Sequence, residues 1–510
     1  MRIERTKNAS RNIVWGVVEK IITLLLPFIT RTVLIKILGA EYLGLNSLFT
    51  SILSVLSISE LGFGAAIVFS MYKPIAEDNT ETICALINLY RKVYNVIGSI
   101  ILICGLFITP LIPRLIDGEC PEDINVYLLY LIYLFNTVIS YYLFAYKVAL
   151  FNAYQRNDLV SKRNVVINMF GEVLKIVTLM TLRSYYVYVI IIPLVTIINN
   201  LVNAYLAKKM FPDIICRGFV SAEMKAGIKK RIIGLISFKI YNVIFTSVDT
   251  IVISSFLGLT QLAIYNNYYY VQSAIIGFLT ILTSSITAGV GNKMVTNTIE
   301  ENYKDFRIFT FANGWISSWC AVCMLCLYQH FMQWWVGNDL LFPFDTMVLM
   351  VLYFLIPRIT TMTYTYREAA GLWWEDRIRP LISTVVNLGM NIFFVKKIGI
   401  NGVVISTLIC TVFINVPWGS YVLFKHFFKS SMIEYLKKII YYILITVIAG
   451  VITLNICTVF PNEGIMFLII KALVCIIVPN LIFLLFYHKM EEYVSSKQLA
   501  LRGLNIFKRK

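Results

Sequence analysis

The sequence predicts an all-α integral membrane protein with about fourteen transmembrane helices and both termini in the cytoplasm. Its 510 residues are 58% hydrophobic and 14% charged, with a mean hydropathy of +0.75. Soluble domains have about 25% charged residues, so this composition excludes an ordinary soluble fold. Apolar runs of about eighteen or more residues recur from Ile13 to Tyr487, and each is long enough to cross a bilayer as a helix.

The distribution of basic residues supports the same fold class. The chain has 45 Lys and Arg against 28 Asp and Glu, which gives a formal net charge of +17. Most of these basic residues lie in alternate loops, the positive-inside pattern that places the N-terminus in the cytoplasm. The charge therefore reflects topology, and we expect no nucleic-acid partner.

The predicted spans divide into two lobes and a C-terminal pair. The N-terminal lobe, residues 1–207, has spans at 13–38, 44–70, 88–112, 125–147, 165–182 and 185–207. A basic cytoplasmic linker, residues 208–231, follows. The C-terminal lobe, residues 232–430, has spans at 232–257, 262–290, 309–331, 346–366, 380–396 and 401–424. Residues 431–510 hold two more spans, 439–459 and 465–487, and a basic cytoplasmic tail.

A weak internal repeat relates the two lobes. The first hairpin contains LGAEYLGL at residues 38–45, and the hairpin between spans seven and eight contains LGLTQLAI at 257–264. Six spans separate the copies, so both have the same orientation in the membrane. This pattern is typical of transporters built from two parallel six-helix lobes with a cleft between them. A chance match between common Leu-Gly turns is the alternative.

Motifs for cofactors and nucleotides are missing from the sequence. Cys320, Cys323 and Cys326 have C-x2-C-x2-C spacing, but no fourth Cys followed by Pro completes an iron–sulfur motif, and we expect them to pack between helices. The three histidines lack metal-site spacing. We therefore expect no metal and no cofactor. The sequence also lacks a G-x-x-x-x-G-K-[ST] phosphate loop, which favours a secondary transporter over an ATP-hydrolysing one.

Charged residues in the first span are candidates for a site, because an ionisable residue at mid-bilayer costs at least ~2.5 kcal/mol. Lys20 and Arg31 lie on one stripe of this helix, with Pro27 between them. The proline can bend the helix toward a cavity. Snorkelling of each side chain to the nearer interface is the alternative.

Two acidic residues are candidates for ion coupling. Asp249 belongs to a polar stripe in span seven with Lys239, Asn242 and Thr246. It suits a cation or proton site, or a structural pair with a neighbouring cation. Glu60 ends the Ser-rich second span, where it is either a cavity carboxylate or an inner-interface residue.

Four other charged or polar features lie further along the chain. Glu172 and Lys175, at i and i+3 in span five, are expected to neutralise each other. Arg358 follows Pro357 in a hydroxyl-rich stretch, and contact with a ligand is one of its two possible roles. The run YNNYYYVQ at residues 265–272, which includes Asn267 and Tyr268, suits sugar binding or interface anchoring. Lys471 lies outside both lobes, so we expect it to contact helices or lipid.

The sequence also resembles a known family. The segment from Ile13 to Glu77 resembles the first two helices of Wzx-type polysaccharide flippases in the multidrug/oligosaccharidyl-lipid/polysaccharide exporter superfamily. TSVDTIVISSFLG, Thr246 to Gly258, resembles their seventh helix. The resemblance implies alternating access in the inner membrane of a bacterium. The expected reaction moves undecaprenyl-pyrophosphate-linked oligosaccharide to the outer leaflet for surface polysaccharides such as the O-antigen of lipopolysaccharide.

This resemblance assigns expected roles to the candidate residues. The cations expected to contact the pyrophosphate are Lys20, Arg31, Lys239 and Arg358. Asn267 and Tyr268 are expected to contact sugars, and Asp249 or Glu60 to couple transport to an ion gradient. Expected partners are the lipid-linked oligosaccharide, the bilayer and other polysaccharide assembly proteins.

Two other functions are open to a sequence of this kind. A multidrug exporter of the same superfamily has a similar number of spans, but the excess of intramembrane cations favours an anionic substrate. A membrane glycosyltransferase or polymerase would act on the same lipid-linked sugars. Such an enzyme needs a sizeable outer loop or an outer acidic pair, which the short outer loops do not offer.

Overall fold

Helices form nearly all of the regular structure of the protein. A computed structural model describes residues 5–60, 62–118, 120–461 and 464–508, and no strand occurs in these ranges. Within the described residues, ten helices are long and apolar enough to cross a membrane, or eleven if the bent pair Val126–Tyr142 and Ala145–Ala153 is one span. The predicted all-α membrane fold is confirmed. Fourteen spans and cytoplasmic termini stay predictions.

The chain folds as two compact units, Met1–Ala263 and Ile264–Lys510. The helices that begin in the first unit are α1 Arg5–Ile37, α2 Ala40–Leu56, α3 Phe63–Ala76, α4 Thr80–Ile108, α5 Val126–Tyr142, α6 Val148–Ala153, α7 Asn157–Leu182, α8 Tyr185–Met210 and α9 Ala222–Thr296. In this unit α1 packs along α7, α7 on α8, α8 on α5, and α5 on α4. α9 continues into the second unit, so the division falls after the predicted linker. The lobe boundaries at 207 and 232 stay a prediction.

The second unit is organised around α10. Its other helices, after the end of α9, are α10 Ile299–Val336, α11 Phe344–Ile359, α12 Thr361–Ala369, α13 Ile378–Ile398, α14 Ile400–Cys410, α15 Val416–Leu423, α16 Ile433–Thr458, α17 Ile465–Tyr487 and α18 Glu491–Lys508. α10 packs on α11, α16, α17 and α18, and α16 packs on α17. α10, α16 and α17 therefore contact one another pairwise.

The two predicted hairpin repeats break their helices in the same way. Gly39 separates α1 from α2 with φ 118° and ψ 169°, and Gly258 interrupts α9 with φ 83° and ψ 177°. Side chains other than glycine rarely adopt this region, so each glycine permits the reversal. The copies also touch, because a Cβ on Gly44 would lie 2.4 Å from the backbone oxygen of Leu259. The repeat found in the sequence is thus matched in backbone conformation.

Candidate functional site

A polar cavity of about 530 Å³ lies in the first unit, where the second predicted span is broken. α2 ends at Leu56, a 3-10 turn covers Ser57–Glu60, and α3 begins at Phe63. Broken helices at membrane depth are tolerated where they line a wet cavity, because water can satisfy the freed backbone groups. The polar residues that line the cavity are Thr50, Ser54, Ser57, Glu60, Tyr133, Asn136, Thr137 and Lys239.

The hydroxyl groups of α2 and of the first residue of the following 3-10 turn form one wall of this cavity. Thr50 donates to the backbone oxygen of Asn46 at 2.7 Å, and Ser54 donates to that of Thr50 at 2.8 Å. Ser57 donates to the backbone oxygen of Leu53 at 2.8 Å. Each hydroxyl proton is thus used within the helix, and each hydroxyl oxygen keeps acceptor capacity. The wall can therefore accept hydrogen bonds from water or from a ligand's hydroxyl groups.

Glu60 is held at the helix break by two tyrosines. Tyr94 donates to one carboxylate oxygen of Glu60 at 2.5 Å, and Tyr141 donates to the other at 2.7 Å. Tyr90 in turn donates to the Tyr94 hydroxyl at 2.8 Å. A carboxylate can accept about four hydrogen bonds, so two fixed donors orient Glu60 and leave it able to bind a cation or proton. Glu60 is therefore on the cavity wall, the first of its two predicted locations.

Lys239 brings positive charge to the same cavity. It lies in the part of α9 that precedes Gly258, and its side chain is exposed toward the cavity space that Glu60 also lines. The structure thus brings together two predicted site residues that are far apart in sequence. An ammonium group and a carboxylate that line the same hydrated cavity can bind a zwitterionic or anionic ligand. The carboxylate can also bind a coupled cation.

The cations of the first helix lie elsewhere in this unit. Lys20 and Arg31 are partly buried in α1, which packs along α7. Thr30, next to Arg31, donates to Glu172 at 2.6 Å, and Lys175 donates to the other oxygen of Glu172 at 2.8 Å. The predicted neutralisation of Glu172 by Lys175 is confirmed. The pyrophosphate roles of Lys20 and Arg31 stay predictions.

Asp249 is buried in the same unit, with 1% of its surface exposed, and does not line the polar cavity. Its stripe partner Thr246 has a side chain outside the described residues. Burial of a carboxylate in a membrane helix requires compensation by nearby polar or charged groups. An ion-coupling role for Asp249 stays a prediction.

The remaining candidates belong to the second unit. Asn267 and Tyr268 are both fully buried. The Tyr268 hydroxyl donates to Gln329 and accepts from the backbone of Phe342, and its ring packs 4.8 Å from that of Phe342. These contacts give Tyr268 a packing function, and sugar contact stays a prediction. Arg358 is partly buried at the end of α11, with its backbone oxygen accepting from Asn313 at 2.7 Å.

The predictions from sequence omit several residues that line or border the cavity. In α5, Asn136, Thr137 and Tyr141 follow Tyr133 by three, four and eight residues and form a polar stripe inside an apolar span; the first two line the cavity with Tyr133, and Tyr141 contacts Glu60. That spacing was a usable signal, since it places the four side chains on one helix face. No such signal marks Tyr94, because its role depends on a hydrogen bond to Glu60, which lies 34 residues away in the sequence.

Comparisons with known proteins agree with this architecture. A family model described as polysaccharide biosynthesis protein matches residues 9–287, more than half of the chain. The chain belongs to this family. The match includes every residue that lines the polar cavity, so the cavity belongs to the region that defines the polysaccharide biosynthesis family.

Solved structures of transporters and flippases have the same fold as this family member. The lipid II flippase MurJ, in an inward closed conformation, is 16% identical, with a TM-score of 0.69 over 94% of this chain and 99% of MurJ. An inward-facing multidrug resistance MATE transporter of the MOP superfamily is 15% identical, with a TM-score of 0.64 over 81% and 98%. The Vibrio cholerae MATE transporter VcmN in the bent form is 14% identical, with a TM-score of 0.56 over 84% and 98%. At these identities the likeness establishes the fold alone. No curated protein sequence shows significant similarity to the chain.

Proposed function

We propose that this protein moves an undecaprenyl-pyrophosphate-linked oligosaccharide from the cytoplasmic to the outer leaflet of a bacterial inner membrane. The observation that carries the proposal is the cavity of the first unit, which places hydroxyls, amides, Glu60 and Lys239 among membrane helices of a polysaccharide biosynthesis protein. A lipid-linked sugar needs a hydrated path for its head group, whereas its polyprenyl tail can remain in lipid.

Each chemical part of this substrate has a matching group in the chain. The pyrophosphate is an anion, and Lys239 offers an ammonium group at the cavity surface. Sugar hydroxyls can donate to the acceptor oxygens of Thr50, Ser54 and Ser57. Lys20, Arg31 and Arg358 are further candidate contacts for the phosphates as the head group crosses the membrane.

Glu60 is the better placed of the two candidate coupling carboxylates. It faces a cavity and keeps two lone-pair positions after accepting from Tyr94 and Tyr141. Protonation or cation binding at Glu60 would change the net charge of the cavity by one, which favours binding of the anionic head group. Transport by alternating access would then draw energy from an ion gradient.

A multidrug exporter is the competing function, because MATE transporters have the same fold and a cavity carboxylate suits a cationic drug. The two functions differ in substrate charge. A flippase needs Lys239 for an anionic substrate, whereas a drug exporter loses little when Lys239 is neutralised. An enzyme that extends or ligates the sugars is the alternative of a different class.

The deciding experiment is deletion of the gene in its own host. We expect lipid-linked oligosaccharide to be made in full and to remain on the cytoplasmic leaflet, with surface polysaccharide lost. Arrest of precursor synthesis would favour the enzyme. Unchanged surface polysaccharide together with increased sensitivity to cationic drugs would favour the exporter.

A further inference from the structure

Three cysteines from three different helices meet inside the second unit. Cys326 of α10, Cys457 of α16 and Cys475 of α17 are all buried, and their three sulfur atoms lie within 4.8 Å of one another. The C-x2-C-x2-C spacing in the sequence relates Cys326 only to Cys320 and Cys323 on the same helix. The three-cysteine cluster, by contrast, forms because α10, α16 and α17 contact one another pairwise.

Two further polar side chains lie one helical turn from members of this cluster. His330 is one helical turn from Cys326 and therefore on the same face of α10. It is 98% buried, and among the described residues neither of its nitrogens has a partner in hydrogen-bond geometry, although the ring lies beside the Gly464 backbone. Lys471 is one turn from Cys475 on α17 and is 2% exposed, and its ammonium group is close enough to stabilise thiolates at the three cysteines.

We propose that Cys326, Cys457 and Cys475 bind one Zn²⁺ ion, and that His330, which lies outside the group of ligand atoms within 4.8 Å of one another, supplies the fourth ligand after rotation of its side chain. Tetrahedral zinc with three thiolates and one imidazole is a common structural site, and its Zn–S distance of about 2.3 Å puts ligand sulfurs ~3.8 Å apart. The sulfurs need to approach by about 1 Å or less to reach that spacing, which rotations about χ1 can supply.

Charge balance explains why zinc suits this position. Binding deprotonates the three thiols, releases their protons to solvent and leaves three negative charges on the sulfurs. The two positive charges of zinc and the one on Lys471 cancel them, so the complete site is neutral. A neutral site avoids the cost that a net charge would have among membrane helices. Cu⁺, the other thiophilic cation, would leave a net negative charge on the same ligands.

Such a site would cross-link α16 and α17 to α10. The metal would connect α16 and α17, which follow the two predicted lobes, to the central helix of the second unit. Its role is therefore structural, and its loss would lower the stability of this unit without removing any residue of the polar cavity. The inference does not depend on the proposed substrate.

The test is metal analysis of the full-length protein, purified with a tag that contains no histidine or cysteine. Wild type is expected to hold about one zinc per chain by mass spectrometry. After growth on cobalt it should show a sulfur-to-cobalt charge-transfer band and the visible bands of tetrahedral cobalt. Cys457→Ser and Cys475→Ser should lose both signals, whereas Cys320→Ser on α10 should keep them. His330→Ala should shift the visible cobalt bands.

Several results would overturn the proposal. If the wild-type protein contained no zinc and showed no cobalt bands, the proposal would be overturned even if every variant failed to fold. Zinc retained in the triple variant Cys326→Ser, Cys457→Ser, Cys475→Ser would show adventitious binding only. Stoichiometric copper in place of zinc would refute the charge argument, and unchanged cobalt bands in His330→Ala would refute the fourth ligand.

Discussion

Gly44→Ala should destabilise the protein, because Gly44 lies against the backbone of the repeated hairpin. A methyl group there would lie 2.4 Å from the Leu259 oxygen, 3.0 Å from its carbonyl carbon and 3.1 Å from its Cα. These are backbone atoms, so the clash is relieved only when α2 or α9 moves. Overpacking of this kind costs about 1–3 kcal/mol.

The helix propensity of alanine acts in the opposite direction. Replacing an interior helical glycine by alanine stabilises a helix by about 0.5–1 kcal/mol. The net effect at Gly44 is therefore a loss of up to about 2.5 kcal/mol. Gly389 in α13 supplies the matched control, because a Cβ there meets nothing within 4 Å. Gly389→Ala should leave stability unchanged or raise it.

The assay is thermal stability of the detergent-solubilised protein, measured from the monodisperse fraction that survives heating. Gly44→Ala should lose this fraction at a lower temperature than wild type, and Gly389→Ala at the same or a higher one. Gly44→Leu should be worse than Gly44→Ala, because its larger side chain enters the same space. If Gly44→Ala were as stable as Gly389→Ala, the close approach of the two hairpins would be refuted.

Three further predictions concern two charged residues and the membrane topology. Asp376→Asn should destabilise the second unit by about 3–5 kcal/mol, because the fully buried Asp376 pairs with the buried Arg367 at 2.9 Å and the buried Arg379 at 2.8 Å. Asp305→Asn is the control, because it breaks the more exposed pair with Lys293, and it should cost about 0–1 kcal/mol in the same thermal assay. Burial alone would raise the pKa of Glu492, but hydrogen bonds from Lys438 and Arg307 outweigh the effect of burial and lower that pKa below its usual value. Glu492 therefore stabilises the fold above about pH 4.3 and loses this effect as pH falls through its lowered pKa, so wild type and Glu492→Gln should converge in stability in acid. An impermeant thiol reagent should label Cys introduced at Asn338 from outside, and label no Cys introduced at Lys229; the reverse pattern would refute the predicted topology.

Much of the fold could be predicted because membrane insertion depends on local sequence. Apolar length and loop charge act within single segments, so the helices and their breaks at Gly39 and Gly258 could be inferred without tertiary contacts. The Ser-rich stripe that ends at Glu60 also indicated a polar helix face. These features do not require knowledge of which helices are neighbours.

Features that depend on helix neighbours could not be predicted in the same way. Tyr94 and Tyr141 hold Glu60 across 34 and 81 residues, and no local pattern specifies that pairing. The C-x2-C-x2-C spacing relates Cys326 to cysteines of its own helix, whereas its thiol neighbours come from α16 and α17. The polar run around Tyr268 suited sugar binding or interface anchoring, and it did not specify the hydrogen bond from the Tyr268 hydroxyl to Gln329. Which side of a membrane helix faces protein, water or lipid is decided by packing.

The most direct test of the central claim is transbilayer movement by purified protein. Proteoliposomes would contain lipid-linked oligosaccharide in both leaflets, and an added sugar-modifying enzyme would report the fraction that reaches the outside. Wild type should raise that fraction from about half toward all of the substrate under an imposed ion gradient. Lys239→Ala should slow the movement at least tenfold, whereas Lys225→Ala, exposed on the same helix α9, should move substrate like wild type. Wild-type liposomes that expose no more substrate than protein-free ones, or Lys239→Ala that matches wild type, would contradict the account.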